Sequence, residues 1–382
     1  MTPPEADRAT RAASAVLGMG LPADTLLYLL LPLYHQVFDV SLAETGLLLA
    51  ANRLVRIGVY GWVAGVYARR GPRVACTAAA VGSALAALGY ALLSGVWALL
   101  PARLLWGVCF AALNIATQAL PTAAAEGAAR RSGRSRAIIA LGPMLGLLGG
   151  ALLAQLAGPR VPFLVLAAVA LAGALIARGL PGPDGVAIIM RGGPRIAWPA
   201  RLDLYAFVQG LALDGIFVIG LSVLAAAALP GQAAMAAGAA LALRYAAEVV
   251  LGPPGGALAE RFGARSLLVL FSCATAVGLA VIGVGFLWTG AVLTVLLRGL
   301  LQPLPPPVVA AANPGALRVP ALARFATWRD LGAGAGPLLA GVLLPVLPAW
   351  AIYGGSGLVL AAMALALAAP GRRRLATPPP IR

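Results

Sequence analysis

Lysine is missing altogether, histidine occurs once, and charged residues of both signs make up only 10% of the 382 residues. Each shortage excludes something. With His35 alone, no histidine-based metal site can be assembled within the chain. Cys76, Cys109 and Cys273 lie inside apolar runs, odd in number and without metal-ligand spacing, and read as small buried hydrophobes. A glycine-rich nucleotide-binding loop is also missing, which argues against ATP as a source of drive. One histidine, scattered acids and isolated cysteines form no catalytic cluster, so neither an enzyme nor a bound cofactor is expected.

What is present is apolar: 61% of the residues are hydrophobic and the mean hydropathy is +0.93. A soluble chain of this length needs far more polar surface to cover its core. Apolar runs of about 20 residues recur throughout, the length that crosses roughly 30 Å of hydrocarbon. The net charge of +16 and pI near 11.3 suggest nucleic acid only until the 28 arginines are located. Most occupy short connections between apolar runs, the positive-inside pattern of membrane proteins. The expected partners are therefore the lipid bilayer and a small molecule, not nucleic acid.

Hydropathy and charge punctuation predict an all-α membrane protein of twelve spans. In the first half these are 14–37, 44–67, 74–95, 97–121, 137–157 and 161–178; in the second, 204–228, 232–258, 266–287, 289–312, 330–347 and 350–369. Residues 1–13 read as a cytoplasmic N-terminus and the first span as uncleaved, too long for a signal-peptide core. Residues 179–203, with Pro181-Gly182-Pro183-Asp184-Gly185, read as a cytoplasmic linker, and 370–382 as a cytoplasmic tail. The even-numbered connections carry the arginines and the opposite ones only Arg160, which places both termini in the cytoplasm of a cell whose inner membrane holds the protein. Trp97, Trp288 and Trp350 fall at outer helix ends, as interfacial anchors do.

The chain repeats itself. Residues 64–73 (AGVYARRGPR) and 256–265 (GALAERFGAR) each follow the second span of a half, offset by 192 residues. Gly142-Pro143 returns as Gly336-Pro337, and Arg103 as Arg298, at offsets of 194 and 195. Landmarks in constant order and near-constant spacing indicate two parallel six-helix halves, 14–178 and 204–369.

These residues carry a resemblance to the major facilitator superfamily over essentially the whole chain. Its loop signature between helices 2 and 3, G-x-x-x-D-R-x-G-R-R, is similar to Gly256, Glu260, Arg261, Gly263 and Arg265 in the second half, with Glu for Asp. The first-half copy keeps Arg69, Gly71 and Arg73 but has Ala64 and Ala68 in place of the glycine and the acid. Arg103-Leu104-Leu105-Trp106-Gly107 resembles the helix 4 signature of proton-driven members, and Gly142-Pro143-Met144-Leu145-Gly146 the helix 5 motif of antiporters, incompletely. The resemblance implies a monomer of two bundles, with helices 1, 4, 7 and 10 around a central cavity and alternating access by rocking.

Ionisable groups within spans are costly unless paired or wetted. Asp24 and Asp214 sit at equal depth in helices 1 and 7, near the midplane. Tyr28 shares the face of Asp24; helix 4 offers Arg103, Asn114 and Gln118, and helix 10 Arg298 and Gln302. Asp24 and Asp214 either exchange protons or bind a cationic group, or each is the structural partner of an arginine on a neighbouring helix. A second set is Arg53 and Arg56 on helix 2 with Arg244 and Glu248 on helix 8; the i, i+4 spacing of the last two allows mutual neutralisation, and an intrahelical or interbundle salt bridge is expected rather than substrate contact. His35 reads as an interfacial residue.

Inner-face charge suggests a gate. Glu260 is expected against Arg134 and Arg136, and Asp330, at the start of helix 11, against Arg69 and Arg73, both clusters holding an outward-open state. Gly142-Pro143 and Gly336-Pro337 should let helices pack closely and bend. Pro303 and Pro305-Pro306-Pro307 should break helix 10 near mid-membrane. The expected function is secondary transport of a small solute, as proton-coupled efflux, with a proton-coupled importer or a non-transporting receptor or assembly factor of the same fold as alternatives. With acids and arginines both in the expected cavity, the sequence leaves the substrate's charge open.

Overall fold

The computed structural model describes residues 1–182, 199–228, 233–343 and 346–368. The middle of the expected linker and the expected tail lie outside them. Twelve helices follow in chain order. α1 is Pro3–Leu33; the long helix Leu42–Leu92 divides at Gly71 into α2 (42–70) and α3 (72–92). Next come α4 (Val96–Ala119), α5 (Ala128–Ala157) and α6 (Val161–Arg178). In the second half, α7 joins Arg201–Gln209 through the π-helical turn Gly210–Ile216 to Phe217–Ala228. α8 is Ala233–Phe262, α9 Ala264–Gly283, and α10 runs Leu287–Leu301 and, past a turn, Pro305–Ala312. α11 is Arg318–Leu343, and α12 is a π turn at Trp350–Gly354 continued by Gly355–Ala368. Among the described residues, nine stretches, which include every helix except α8 and α11 and count α2 with α3 as one, are long and apolar enough to cross a membrane.

The duplication shows in the backbone. Gly71 and Gly263, 192 residues apart, both adopt positive φ (76° and 89°), a conformation that costs any residue with a Cβ. Each turn is followed by an arginine that fastens its bundle: Arg73 Nε donates to Leu180 O at 2.7 Å and Arg265 Nε to Leu367 O at 2.9 Å, at the ends of α6 and α12. Within each half a glycine seam recurs. A Cβ on Gly142 of α5 would lie 1.8 Å from the Gly18 carbonyl oxygen of α1, and one on Gly336 of α11 would lie 2.5 Å from the Gly215 Cα of α7. Small residues at these crossings let backbones touch where side chains could not fit.

Two seams join the halves, α5 with α8 and α2 with α11, related by the same pseudo-symmetry. At the arginine-rich end the first is glycine-lined: a Cβ on Gly133 would meet Gly252 O at 2.4 Å, and one on Gly256 would meet Ala129 O at 2.4 Å.

Helix starts differ from the expectation. α1 begins at Pro3, α5 at Ala128 and α11 at Arg318, each nine or more residues before the apolar span. Hydropathy marks only the stretch that suits hydrocarbon; arginine is a good helix former and carries the hydrogen-bonded ladder beyond it. Asp330 therefore lies midway along α11 and has no helix start to complement. The expected break in α10 falls at 302–304, between its two helical pieces.

Candidate functional site

α1 and α4 are joined by a buried ion pair. Arg103 Nη1 lies 2.5 Å from Asp24 Oδ1, and its Nε donates to Leu48 O at 2.9 Å. Asn52 Nδ2 donates to the same Asp24 oxygen at 3.0 Å. Tyr28 turns its hydroxyl to Leu49 O at 2.8 Å, and its ring lies 5.5 Å from the Arg103 guanidinium. Arg103 is fully buried, so it acts from within the bundle rather than from its surface.

The second half repeats the pair between α7 and α10: Arg298 Nη2 lies 2.6 Å from Asp214 Oδ1. Asp214 sits in the π-helical turn Gly210–Ile216, a local rewinding common at functional positions. Here the arrangement grows. Arg298 Nη1 also binds Glu248 of α8 at very short range. Arg329 of α11 donates from Nε to Asp214 Oδ2 at 2.9 Å and from Nη2 to Gln302 Oε1 at 2.9 Å. The expected Arg244–Glu248 pair is replaced: Glu248 reaches across to Arg298, while the Arg244 guanidinium lies 4.7 Å from the Tyr245 ring centroid. A second carboxylate acceptor for Arg298, already held by Asp214, outweighs the weak i, i+4 attraction.

Between the halves, Arg56 Nε lies 3.2 Å from Asp330 Oδ2, and Tyr60 donates to that oxygen at 2.9 Å. Asn114 Nδ2 donates to the Tyr60 hydroxyl at 3.0 Å, and Gln118 Nε2 to Asn114 Oδ1 at 3.0 Å, forming a chain from α4 through α2 to α11. Arg53 donates to the Ala333 carbonyl oxygen. Asp330 thus belongs to Arg56 and Tyr60, not to Arg69 and Arg73; Arg69 is exposed and Arg73 is spent on Leu180.

The other expected gate pair is also redrawn. Glu260 Oε1 accepts from the Gly127 amide, just before α5, at 2.8 Å. A carboxylate there satisfies one of the open N–H groups of a helix start and meets the positive end of its dipole. Arg134 points instead to Asp7 at 4.0 Å, Arg261 stacks on Phe262, and Arg136 lies within electrostatic reach of Glu248 and Asp214. Arg318 adds a bond from the start of α11 to Thr122 O of the first half, at 2.8 Å. The Glu260–Gly127 and Arg318–Thr122 bonds join the two halves at the arginine-rich end.

Asn52, Tyr60 and Arg329 take part without having been singled out in the sequence. Positions 52, 53, 56 and 60 share one face of α2, and that stripe was the available signal. Arg329, adjacent to Asp330, falls just outside the predicted span 330–347, in an even-numbered connection where arginine reads as a topological charge. His35 is held at a helix end, its Nδ1 3.0 Å from Val40 O.

No family model matches the sequence, and no curated protein does. Likeness lies in the fold. The crystal structure of the human organic anion transporter MFSD10 (TETRAN) superposes with a TM-score of 0.73 at 17% identity, covering 96% of this chain and 100% of that one. The proton:xylose symporter XylE, bound to 6-bromo-6-deoxy-D-glucose, superposes with a TM-score of 0.72 at 14% identity, covering 94% of each. Two pseudo-symmetric six-helix bundles with ionic clusters where they meet define a polytopic membrane protein. Its fold is that of the major facilitator superfamily transporters.

Proposed function

We propose that this chain is a secondary active transporter, moving a small solute across the inner membrane by alternating access, as proton-coupled efflux. The observation that carries the reading is the duplicated carboxylate–guanidinium pair, Asp24 with Arg103 and Asp214 with Arg298, one in each bundle. Charges buried in a membrane protein are expensive, and matched pairs in both halves have a use when the halves move against each other. The two fold neighbours, an organic anion transporter and a proton:xylose symporter, support secondary transport.

The two carboxylates differ. Asp24 is held by one guanidinium and one amide, Asp214 by two guanidinium groups. Asp24 is the proposed proton carrier, and its protonation would free Arg103 and loosen α1 from α4. Asp214 is proposed to organise the arginines around it. Opening at the arginine-rich end, assigned to the cytoplasm by the positive-inside pattern, requires parting Glu260 from Gly127 and Arg318 from Thr122. A second reading, proton-coupled import, is favoured by the symporter neighbour and differs only in the direction of the solute.

The experiment is flux in proteoliposomes carrying a pH-sensitive dye, with a solute panel applied to wild type, Asp24→Asn and Asp214→Asn. Solute-dependent collapse of the gradient by wild type and its loss in Asp24→Asn is the expected result. Wild-type protein that moves no solute and no protons would remove transport, and unchanged coupling in Asp24→Asn would remove that residue as the carrier.

A further inference from the structure

Formal charge around the second-half pair does not balance. Asp214 and Glu248 are the two carboxylates there. Arg298 binds both, Arg329 binds Asp214, Arg244 lies within electrostatic reach of both, and Arg136 approaches from α5 of the other half. Arg53 faces the same region from α2, within reach of Asp214 and of Asp330, whose carboxylate is already engaged by Arg56. Two guanidinium groups, Arg298 and Arg329, contact the two carboxylates, while Arg244, over the Tyr245 ring, Arg53, on Ala333 O, and Arg136 lie beyond ion-pair contact with them. Three positive charges near the cluster thus have no carboxylate of it in contact, and each uncompensated charge there is costly.

Hydrogen bonding points the same way. Gln302, 1% exposed, gives its Oε1 to Arg329, while its Nε2 makes no hydrogen bond; the Nε groups of Arg244 and Arg298 make none either. All three are donors, and buried donors without acceptors call for an acceptor-rich group. The pseudo-symmetry explains why the excess is local. Position 52 is a neutral asparagine that serves Asp24; its counterpart 192 residues on is Arg244.

We infer that Arg53, Arg136, Arg244 and Gln302 form a binding site for an organic anion, with Arg298 and Arg329 held in place by Asp214 and Glu248 as its floor. The ligand class is a carboxylate or phosphate ester, and two negative charges suit the surplus better than one. Guanidinium forks recognise both groups by paired N–H donors. The inference deepens the transport reading and rests on it for the biological meaning of the site, but binding is measurable without flux.

The test uses purified full-length protein in lipid nanodiscs. Succinate, phthalate, citrate and glycerol 3-phosphate are compared with succinamide, phthalamide and glycerol, reading thermal stabilisation and affinity; chloride and inorganic phosphate form a separate arm. The anions should stabilise, the neutral analogues should not, and phthalate should bind at least tenfold tighter than benzoate. Arg244→Gln and Arg53→Gln should each weaken anion binding tenfold or more, with Arg244→Lys recovering part of the loss. Neither change removes a carboxylate's ion-pair partner. The unliganded melting temperature of Arg244→Gln should hold or rise, an outcome a purely structural role does not give, whereas Arg53→Gln also loses its bond to Ala333 O and is read by affinity alone. Arg70→Gln, on the exposed inner turn, should change nothing. Equal binding of neutral analogues, anion affinity unaltered in both variants, or saturation by chloride alone with no response to organic anions would overturn the site. Anion binding without flux in proteoliposomes keeps the site and removes transport; flux of neutral or cationic solutes without anion binding does the reverse.

Discussion

Arg56 on α2 holds Asp330 on α11 with Nε 3.2 Å from Oδ2, so a charge of one bundle is neutralised only by the other. Separating the halves at this seam leaves both groups unpaired. Asp330→Asn removes the negative partner and should cost about 3 kcal/mol of closure energy. On a cysteine-free background, a cysteine at Ala129 in the α5–α8 seam reports opening of the arginine-rich end by its rate of thiol labelling. Asp330→Asn should raise that rate severalfold, and Arg56→Gln/Asp330→Asn should raise it less. A rate equal to the parent's would mean the pair does not hold the seam.

At Asp24, substitution has a structural as well as a functional outcome. Asp24→Asn keeps an amide oxygen for Arg103 but removes the charge that neutralises its buried guanidinium, a loss of about 3–5 kcal/mol. Arg103→Leu/Asp24→Asn, which removes both charges, should recover a good part of it. Melting curves in detergent measure this, and a double variant as unstable as the sum of the singles would show that the two residues act separately.

Glycine positions in α5 make a controlled comparison. Gly142→Ala places a Cβ 1.8 Å from Gly18 O and must push α1 from α5, at a cost of roughly 1–3 kcal/mol. Gly149 has open space around its missing Cβ, so Gly149→Ala should be neutral or slightly stabilising through helix propensity. Equal melting temperatures for the two variants would contradict the close α1–α5 crossing.

Glu260 bonds a single amide at the start of α5, near the surface. Glu260→Gln keeps an acceptor but loses the charge that suits the helix dipole. It should leave the melting temperature nearly unchanged while speeding labelling at Ala129→Cys, by less than Asp330→Asn does. Glu260→Ala, which deletes the acceptor, should speed it further. No change in either variant would mean that the glycine seam alone closes this end.

How much was legible in the sequence depended on whether a feature is local. Twelve helices, the break in α10 and the duplicated turn follow from composition along the chain, because a bilayer requires every backbone group to be satisfied within its own segment. The turn at Gly71 and Gly263 was visible as a repeat, and its positive φ gives the reason for the glycine. Helix starts were misplaced where arginine-bearing turns extend beyond the apolar span, and that displaced Asp330 from an expected gate to the middle of α11.

The candidate residues were mostly visible as intramembrane charges, but their partners were not. Arg244 and Glu248 are neighbours in sequence, yet Glu248 belongs to Arg298; Asp330, at the expected start of helix 11, is expected against Arg69 and Arg73, yet belongs to Arg56 and Tyr60. The sequence by itself determined the membrane fold, the duplication and the inventory of buried charge, since each is set by residue type and spacing. Which acid neutralises which arginine was decided only by the tertiary structure, because an ion pair depends on distance across helices that are far apart in the chain. The surplus of guanidinium groups follows from that pairing, and with it the proposed charge of the ligand.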